Sequence, residues 1–224
     1  DQIVHDVCIQ KLPVTLCLDR AGLVGEDGPT HHGAFDLSFL RHIPNLNMLA
    51  PRDEVELQAA LITSLNLGQP LVIRYPRGAA TGLPLPDADP LISLPPLPYG
   101  EGELLREGAD AVIIGVGSMV CTAQSAADRL FAATGSSVAV LAARWVKPLP
   151  KRQLLDLSAR YNRLLFVEEN ALAGGFSSAV LELLADAGAL TGQRIRRLGL
   201  PDAFVEHGTQ AQLRRRLGLD DEGI

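Results

Sequence analysis

The side chains that could do chemistry are concentrated in one short segment, residues 19–36, which reads DRAGLVGEDGPTHHGAFD. It contains Arg20, Asp27 and two adjacent histidines, His31 and His32. Arginine binds phosphate through paired N–H donors, and histidine transfers protons near neutral pH. Four glycines and one proline predict a shaped loop rather than a helix. This loop is therefore the first candidate for a binding or catalytic site.

The same residues also allow a structural interpretation. Asp27 is placed to cap a turn, and His31 could be a hydrogen-bonded structural imidazole. A metal site at the two histidines is disfavoured, because adjacent side chains diverge and no zinc-ligand spacing is present. A second pair of carboxylates, Glu168 and Glu169, follows an apolar run. That pair predicts either an acid–base pair or the anchor of a turn.

Seven short apolar runs predict the strands that position these residues. The runs are almost wholly apolar rather than alternating, which is typical of strands covered on both faces. They are Val14–Leu18, Leu46–Ala50, Leu71–Ile73, Ala111–Val116, Ser137–Leu141, Leu164–Val167 and Ile195–Leu198. The candidate loop follows the first run directly. Because ligands bind at the carboxyl ends of strands in open α/β sheets, this placement suits a site.

Helical patterns between the runs complete an alternation of strands and helices. Asp53 predicts a cap for a helix over Glu54–Asn66, and Ser118 predicts one for Met119–Ala133. Another helix is predicted over Phe176–Ala187. This alternation predicts an α/β fold with two open, mostly parallel sheets flanked by helices.

A proline-rich stretch divides the chain. Residues 81–99 contain 6 of the 15 prolines, and neither a helix nor a central strand accommodates so many. We predict a linker there, between a first domain over residues 1–80 and a second over residues 100–224. The chain opens in a helical pattern without a methionine, so we expect the first domain to be incomplete. Residues 1–80 are then expected to pack against an N-terminal segment of the same protein.

Several linked motifs give the sequence a family resemblance. The turn at 25–32, GEDGPTHH, the tripeptide Ile43-Pro44-Asn45 and the helix start PRDEVE at 51–56 resemble the pyrimidine-binding domain of the transketolase-like thiamine diphosphate enzymes. DRAGLVG at 19–25 and RYPRG at 74–78 are similar to the 1-deoxy-D-xylulose-5-phosphate synthase branch of that family. Later motifs extend the resemblance to a transketolase C-terminal-like domain. They are KPLP at 147–150, VEEN at 167–170, GG at 174–175 and GLPD at 199–202.

The resemblance implies a transferase reaction in which pyruvate and D-glyceraldehyde 3-phosphate give 1-deoxy-D-xylulose 5-phosphate and carbon dioxide. That product serves the biosynthesis of isoprenoid precursors, thiamine and pyridoxal. Thiamine diphosphate and Mg²⁺ would be the cofactors, and thiamine diphosphate supplies the carbanion chemistry. In the family, the residues that bind the diphosphate group and Mg²⁺, and the glutamate that activates the cofactor, lie N-terminal to the residues of this chain. No cofactor-binding or metal residue is therefore assigned here, and a homodimer is implied; the unpaired cysteines separately predict a reducing cytoplasm.

The resemblance also assigns roles to four residues of this chain. Arg20 and Arg77 match positions that hold the phosphate of glyceraldehyde 3-phosphate, which suits the forked guanidinium group. His31 matches the histidine at the reacting carbonyl, where it would bind substrate and transfer a proton. Asp27 matches an acid near the acceptor hydroxyls. Each arginine follows a predicted strand, so both are expected to reach one pocket.

Composition and charge narrow the function classes. With 47% apolar residues the chain is globular, and a net charge of −6 argues against nucleic acid as a partner. No run of about 18 uncharged apolar residues is present, so no membrane-spanning helix is predicted. The cysteines lack metal or disulfide spacing, and Cys8 and Cys17 are expected to be buried thiols. Two alternatives remain open: another transketolase-type enzyme, or a catalytically silent assembly module.

Overall fold

Strands and helices alternate along the computed structural model, which describes residues 1–85 and 94–224. A π-helical segment, Ile3–Cys8, comes first. The strands are β1 Thr15–Leu18, β2 Asn47–Leu49, β3 Leu71–Arg74, β4 Glu103–Arg106, β5 Ala111–Gly115, β6 Val138–Ala142, β7 Trp145–Lys147, β8 Arg163–Ala171 and β9 Arg194–Leu200. The helices are α1 Asp36–Leu40, α2 Glu54–Leu67, α3 Met119–Thr134, α4 Lys151–Arg160, α5 Phe176–Asp186 and α6 Gln210–Leu217.

The strands form two sheets. The first has the order β1-β3-β2-β7, in which β1 and β2 both run parallel to β3 and β7 is antiparallel to β2. The second has the order β4-β6-β5-β8-β9, in which only β4 is antiparallel to its neighbour. The predicted α/β fold with two mostly parallel sheets flanked by helices is therefore confirmed.

Strand β7 ties the two halves of the chain together. It lies after the proline-rich stretch in sequence, yet it pairs with β2 and completes the first sheet. Its Trp145 is fully buried against Leu49 and Ile73. A second, larger cluster packs side chains of α1 and β3 with those of β5 and α5. The apolar core is thus shared by both halves, which fixes the loops of the first sheet against the second.

Two local expectations fare differently in the structure. Asp53 caps α2 as predicted, because its carboxylate accepts a hydrogen bond from the Glu56 backbone N–H at 2.8 Å. Ser118 makes no such bond at the start of α3; its hydroxyl instead faces the Glu169 carboxylate at 3.4 Å. The predicted Ser118 cap is therefore wrong, because Ser118 has helical backbone angles (φ −57°, ψ −20°) rather than the extended ones from which an N-cap side chain reaches the first turn.

One of the two thiols predicted to be buried is exposed. Cys8 is buried, but Cys17 lies on β1 and is open to solvent. Strand β1 is the edge of its sheet and has a neighbour on one side only. An apolar run at such an edge is not covered as a central strand is, which is why the prediction for Cys17 is wrong.

The ends of the proline-rich stretch lie against the first half of the chain. Thr81 and Leu83 donate backbone hydrogen bonds to the Glu54 carboxylate, and the Leu97 N–H donates to the Thr63 hydroxyl at 2.7 Å. The middle of the predicted linker, residues 86–93, lies outside the described residues. None of the described helices is both long and apolar enough to cross a membrane.

Candidate functional site

The loop over residues 19–36 closes on itself and on the segment that follows β3. The Gly22 N–H donates to the Gly33 carbonyl, and the Gly33 N–H donates to the Arg20 carbonyl. A side-chain carbon at Gly33 would lie 2.3 Å from that Arg20 oxygen, so only glycine fits. The Ala21 N–H donates to the Tyr75 carbonyl at 3.0 Å. The loops after β1 and β3, which are neighbouring parallel strands, are therefore joined.

Asp27 and Arg77 meet across these two loops. Their side chains form an ion pair between Asp27 Oδ2 and Arg77 Nη1. The pair is open to solvent, with side-chain exposures of 38% and 46%. Within the described part of the chain, Nε and Nη2 of Arg77 have no protein acceptor, so this guanidinium keeps N–H donors for a ligand.

The structure does not bring Arg20 and His31 into contact with that pair. Arg20 bonds its neighbour Asp19 at 2.6 Å and has a positive φ of 59°, which is uncommon for a residue other than glycine. His31 is exposed, and its Nδ1 lies 2.9 Å from the Thr30 hydroxyl. Among the described residues, no hydrogen bond or ion pair joins either side chain to Asp27 or Arg77.

His32 has a different environment from His31. Its Nδ1 accepts a hydrogen bond from the Val24 N–H at 3.0 Å. Because Nδ1 accepts, the proton is on Nε2, which faces the Glu206 carbonyl oxygen at 3.4 Å. His32 therefore connects the loop to the segment before α6 and is held in place by the protein itself.

Two clefts flank Arg77. A cleft of about 440 Å³ lies between the two halves of the chain and is lined by Arg77, Arg52, Tyr75, Cys121 and Arg214 among others. A shallower one of about 240 Å³ lies on the side of Gly25 and Glu26. Arg77 and Gln210 line both clefts. The segment after β3 is thus open to solvent on two sides, where a small phosphorylated molecule could enter.

A buried arginine at the end of β3, which the sequence did not mark as a site residue, holds the loop over residues 19–36. Arg74, at the end of β3, is 5% exposed. It donates to Asp36 Oδ2 at 3.1 Å, to the Gly33 carbonyl at 2.6 Å and to the Glu169 carbonyl at 3.0 Å. The signal in the sequence was a single charge at the end of an otherwise apolar run, LVIR. Burial shows that this charge is structural.

The carboxylates of Glu168 and Glu169 anchor the fold. Glu168 accepts from the Phe176 N–H at 2.7 Å and from the Ser177 N–H and hydroxyl at 2.9 and 2.6 Å, at the start of α5. Burial raises the pKa of Glu168, against the effect of these hydrogen bonds. Glu169 forms two 2.9 Å hydrogen bonds with Arg214. Of the two roles predicted for this pair, the structure favours the anchor.

The ion pair between Glu169 and Arg214 also shifts the pKa of the arginine. Burial alone would lower the pKa of Arg214, but the hydrogen bonds and charge of Glu169 outweigh it and raise the pKa. Arg214 is thus cationic and committed to Glu169. Its position beside the larger cleft does not make it a free ligand-binding group.

Comparisons with known proteins agree on the family. The transketolase pyrimidine-binding domain matches residues 1–81, and the transketolase C-terminal domain matches residues 100–224. Two curated relatives named 1-deoxy-D-xylulose-5-phosphate synthase, from Nitratidesulfovibrio vulgaris and Lawsonia intracellularis, are 66% and 58% identical over 224 residues. The match covers 100% of this chain and 34% of each relative, so the chain spans about a third of their length.

Solved structures show the same fold. A structure named "Split gene transketolase, inactive beta4 tetramer" matches 99% of this chain and 67% of its own, with a TM-score of 0.82 and 25% identity. The transketolase of Campylobacter jejuni matches 93% of this chain and 30% of its own, with a TM-score of 0.68 and 21% identity. Both family matches and the shared fold lead to one conclusion: the chain belongs to the transketolase family and contains its pyrimidine-binding and C-terminal domains.

Proposed function

We propose that this chain is the acceptor-binding part of a thiamine diphosphate-dependent synthase. The enzyme would condense pyruvate with D-glyceraldehyde 3-phosphate to 1-deoxy-D-xylulose 5-phosphate and carbon dioxide. Support comes from two relatives of that name, which align with every residue of this chain at 66% and 58% identity. It also comes from the geometry of the loops after β1 and β3.

The single observation that carries the proposal is the exposed Asp27–Arg77 pair. It joins the ends of two neighbouring parallel strands, where ligands bind in open α/β sheets. One guanidinium nitrogen of Arg77 is used by Asp27, and the others remain for phosphate oxygens. Arg20 follows the adjacent strand and would add a second positive charge from the same edge of the sheet.

Asp27 and His31 would act on the other end of the acceptor. Among the described residues, Nε2 of His31 has no partner, while Nδ1 is occupied by Thr30. Nε2 is therefore available to hydrogen-bond the reacting carbonyl oxygen and to give or take its proton. Asp27 would accept a hydrogen bond from an acceptor hydroxyl while it holds Arg77 in place. We assign His31 as catalytic and the other three residues as substrate-binding.

The described residues do not fit a binding site for Mg²⁺. They contain no group of three or more His, Cys, Asp or Glu side chains that could hold a metal ion. Thiamine diphosphate and Mg²⁺ would be held mainly by other residues of the enzyme. The role proposed for this chain is limited to binding and orienting the acceptor and moving its proton.

The assembly is part of the proposal. We propose two domains, residues 1–80 and 100–224, joined by a linker at 81–99. The edge strand β1 and the exposed Ile9, 65% accessible, would pack against an N-terminal segment of the same protein. A homodimer in the cytoplasm would complete the enzyme; the free state of all three cysteines supports a reducing compartment.

A donor assay on the assembled enzyme tests this function. With D-glyceraldehyde 3-phosphate as acceptor, we expect pyruvate to be consumed with release of one carbon dioxide per product. A ketose phosphate donor should give no product. Turnover with the ketose and none with pyruvate would instead identify another transketolase-type enzyme. No turnover with either donor would favour the catalytically silent assembly module.

A further inference from the structure

Gln210 is the first residue of α6, and the cap of this helix fixes the position of its backbone. Thr209 caps the helix through a capping box with Gln212: the Thr209 hydroxyl accepts from the Gln212 N–H at 3.3 Å, and the Gln212 side chain accepts from the Thr209 N–H at 3.1 Å. A reciprocal cap of this kind holds the first turn in a single geometry. Gln210 therefore projects from a rigid position in the second half of the chain.

The carboxamide of Gln210 connects the two loops of the candidate site. Its Nε2 donates to the Leu23 carbonyl at 2.8 Å and to the Arg77 carbonyl at 3.0 Å. Leu23 belongs to the loop after β1, and Arg77 to the segment after β3. Both N–H donors of the amide are used, and Gln210 is itself half-buried. This side chain thus bonds to the backbone of both segments that carry the proposed phosphate-binding groups.

The neighbouring backbone is shaped for this approach. Gly25 has a φ of 99°, and a side-chain carbon there would lie 3.3 Å from the Gly208 carbonyl oxygen, just before α6. The Gly208 N–H also faces the Gly25 carbonyl at 3.4 Å. The loop and the start of α6 are therefore in direct backbone contact, and Gln210 is the side chain that extends this contact to Arg77.

We infer that Gln210 is a positioning residue for the acceptor phosphate, an inference that rests on the proposed role of Arg77. By holding both carbonyls, Gln210 fixes the spacing between the loop of Asp27 and the backbone of Arg77. A neutral amide suits this role, because it supplies two donors without adding a charge that would compete with the guanidinium for phosphate. The second half of the chain thereby acts on phosphate binding through the backbone of Arg77.

The test compares phosphorylated and unphosphorylated acceptors in the assembled enzyme. Gln210→Ala removes both donors, and the isosteric Gln210→Glu places carboxylate oxygens against two carbonyl oxygens. For both variants we expect the KM for D-glyceraldehyde 3-phosphate to rise roughly tenfold, the loss of about one or two hydrogen bonds. The KM for D-glyceraldehyde and that for pyruvate should stay within about twofold. A uniform fall in kcat with all substrates would overturn the inference.

A matched control lies on the same helix. Among the described residues the Gln212 carboxamide bonds to Thr209, so Gln212→Ala loosens the helix cap but removes neither hydrogen bond of the Gln210 side chain itself. It should change the preference for the phosphorylated acceptor far less than Gln210→Ala does. If Gln212→Ala shifts that preference as much as Gln210→Ala, helix stability and not positioning explains the effect, and the inference fails.

Arg77→Ala separates this inference from the proposed function. If Arg77→Ala leaves the preference for the phosphorylated acceptor intact, the proposed function itself fails. If Arg77→Ala abolishes the preference while Gln210→Ala leaves it unchanged, only the role of Gln210 fails. Because Gln210 acts through Arg77, adding Gln210→Ala to Arg77→Ala should give little further loss of acceptor binding. Additive losses would contradict that coupling.

Discussion

The two faces of the loop over residues 19–36 use their polar side chains differently. On the inner face, His32 and Asp36 are bonded to the rest of the protein: His32 accepts from the Val24 N–H within the loop and faces the Glu206 carbonyl outside it, and Asp36 pairs with Arg74. On the outer face, Asp27 and His31 are exposed, and among the described residues their side chains bond to Arg77 and Thr30, respectively. The inner face fixes the conformation, and the outer face keeps donors and acceptors for a ligand.

The arginines at the end of β3 repeat this contrast over three positions. Arg74 is buried and donates to three protein acceptors. Arg77 is half-exposed and pairs with one carboxylate. Residue type alone does not separate a structural charge from a binding charge. The number of hydrogen-bond partners that the protein supplies to each arginine separates the two roles. Mutations of a structural charge should therefore change stability, and mutations of a binding charge should change substrate binding.

The largest effect is expected from the adjacent histidines. His31→Ala should lower turnover of the assembled enzyme by about 10²–10⁴-fold, because a positioned proton-transfer group is lost. His32→Ala should lower turnover less and act mainly on stability, since it removes the acceptor of the Val24 N–H. Steady-state kinetics of the two variants measure both falls in turnover. A larger fall in turnover for His32→Ala would reverse the assignment of the two faces.

Arg74→Met should cost about 3–5 kcal/mol of unfolding free energy, because it leaves the Asp36 carboxylate without its ion-pair partner and removes a donor from the Gly33 and Glu169 carbonyls. Arg77→Met is the matched control and should cost less than about 1 kcal/mol, the value of an exposed ion pair. Urea denaturation of both variants measures the difference. Similar midpoints would show that burial does not distinguish the two arginines.

Arg77→Ala should weaken acceptor binding by about 2–4 kcal/mol, through loss of charge-assisted hydrogen bonds to phosphate. The KM for D-glyceraldehyde 3-phosphate would rise about 30- to 900-fold. The KM for pyruvate should change far less, because pyruvate carries no phosphate. Equal changes in the two constants would remove Arg77 from the phosphate site.

The smallest effect concerns Glu54, a partly exposed charge that has a structural role. Hydrogen bonds, first from the Thr81 hydroxyl and then from backbone N–H groups, lower the pKa of Glu54 from 4.5 to about 2. The folded-state pKa is depressed, so this stabilisation is present above pH 4.5 and is lost as the pH falls towards 2. Glu54→Gln should therefore destabilise the protein at pH 6 and less so at pH 3. A constant difference between the two pH values would contradict the assignment.

Local patterns predicted much of the framework. The apolar runs correspond to strands of both sheets, and Asp53 caps α2 through a bond within one turn. Strands β4 and β7 were missed. The residues of β4, ELLR, are half polar, and the three residues of β7 form a strand only by pairing with β2 in the other half of the chain. Such pairing depends on tertiary contacts that a local pattern does not contain.

The site was predictable in part. The dense polar loop and the arginine of RYPRG stand out in the sequence, and the structure brings Asp27 to Arg77. The supporting residues do not stand out. Arg74 resembles any charge at the end of a strand, and Gln210 lies 133 residues from Arg77, so only the fold reveals its two hydrogen bonds. Residues that hold a site together through long-range contacts leave little local signal.

The account depends on which arginines meet the substrate. A crystal structure of the assembled enzyme with D-glyceraldehyde 3-phosphate bound is the most direct measurement. We predict that the phosphate oxygens lie within hydrogen-bond distance of Arg77 and Arg20, while Arg74 and Arg214 keep their present partners. A phosphate bound by Arg74 or Arg214, with Arg77 still paired only to Asp27, would contradict the division between structural and binding charges.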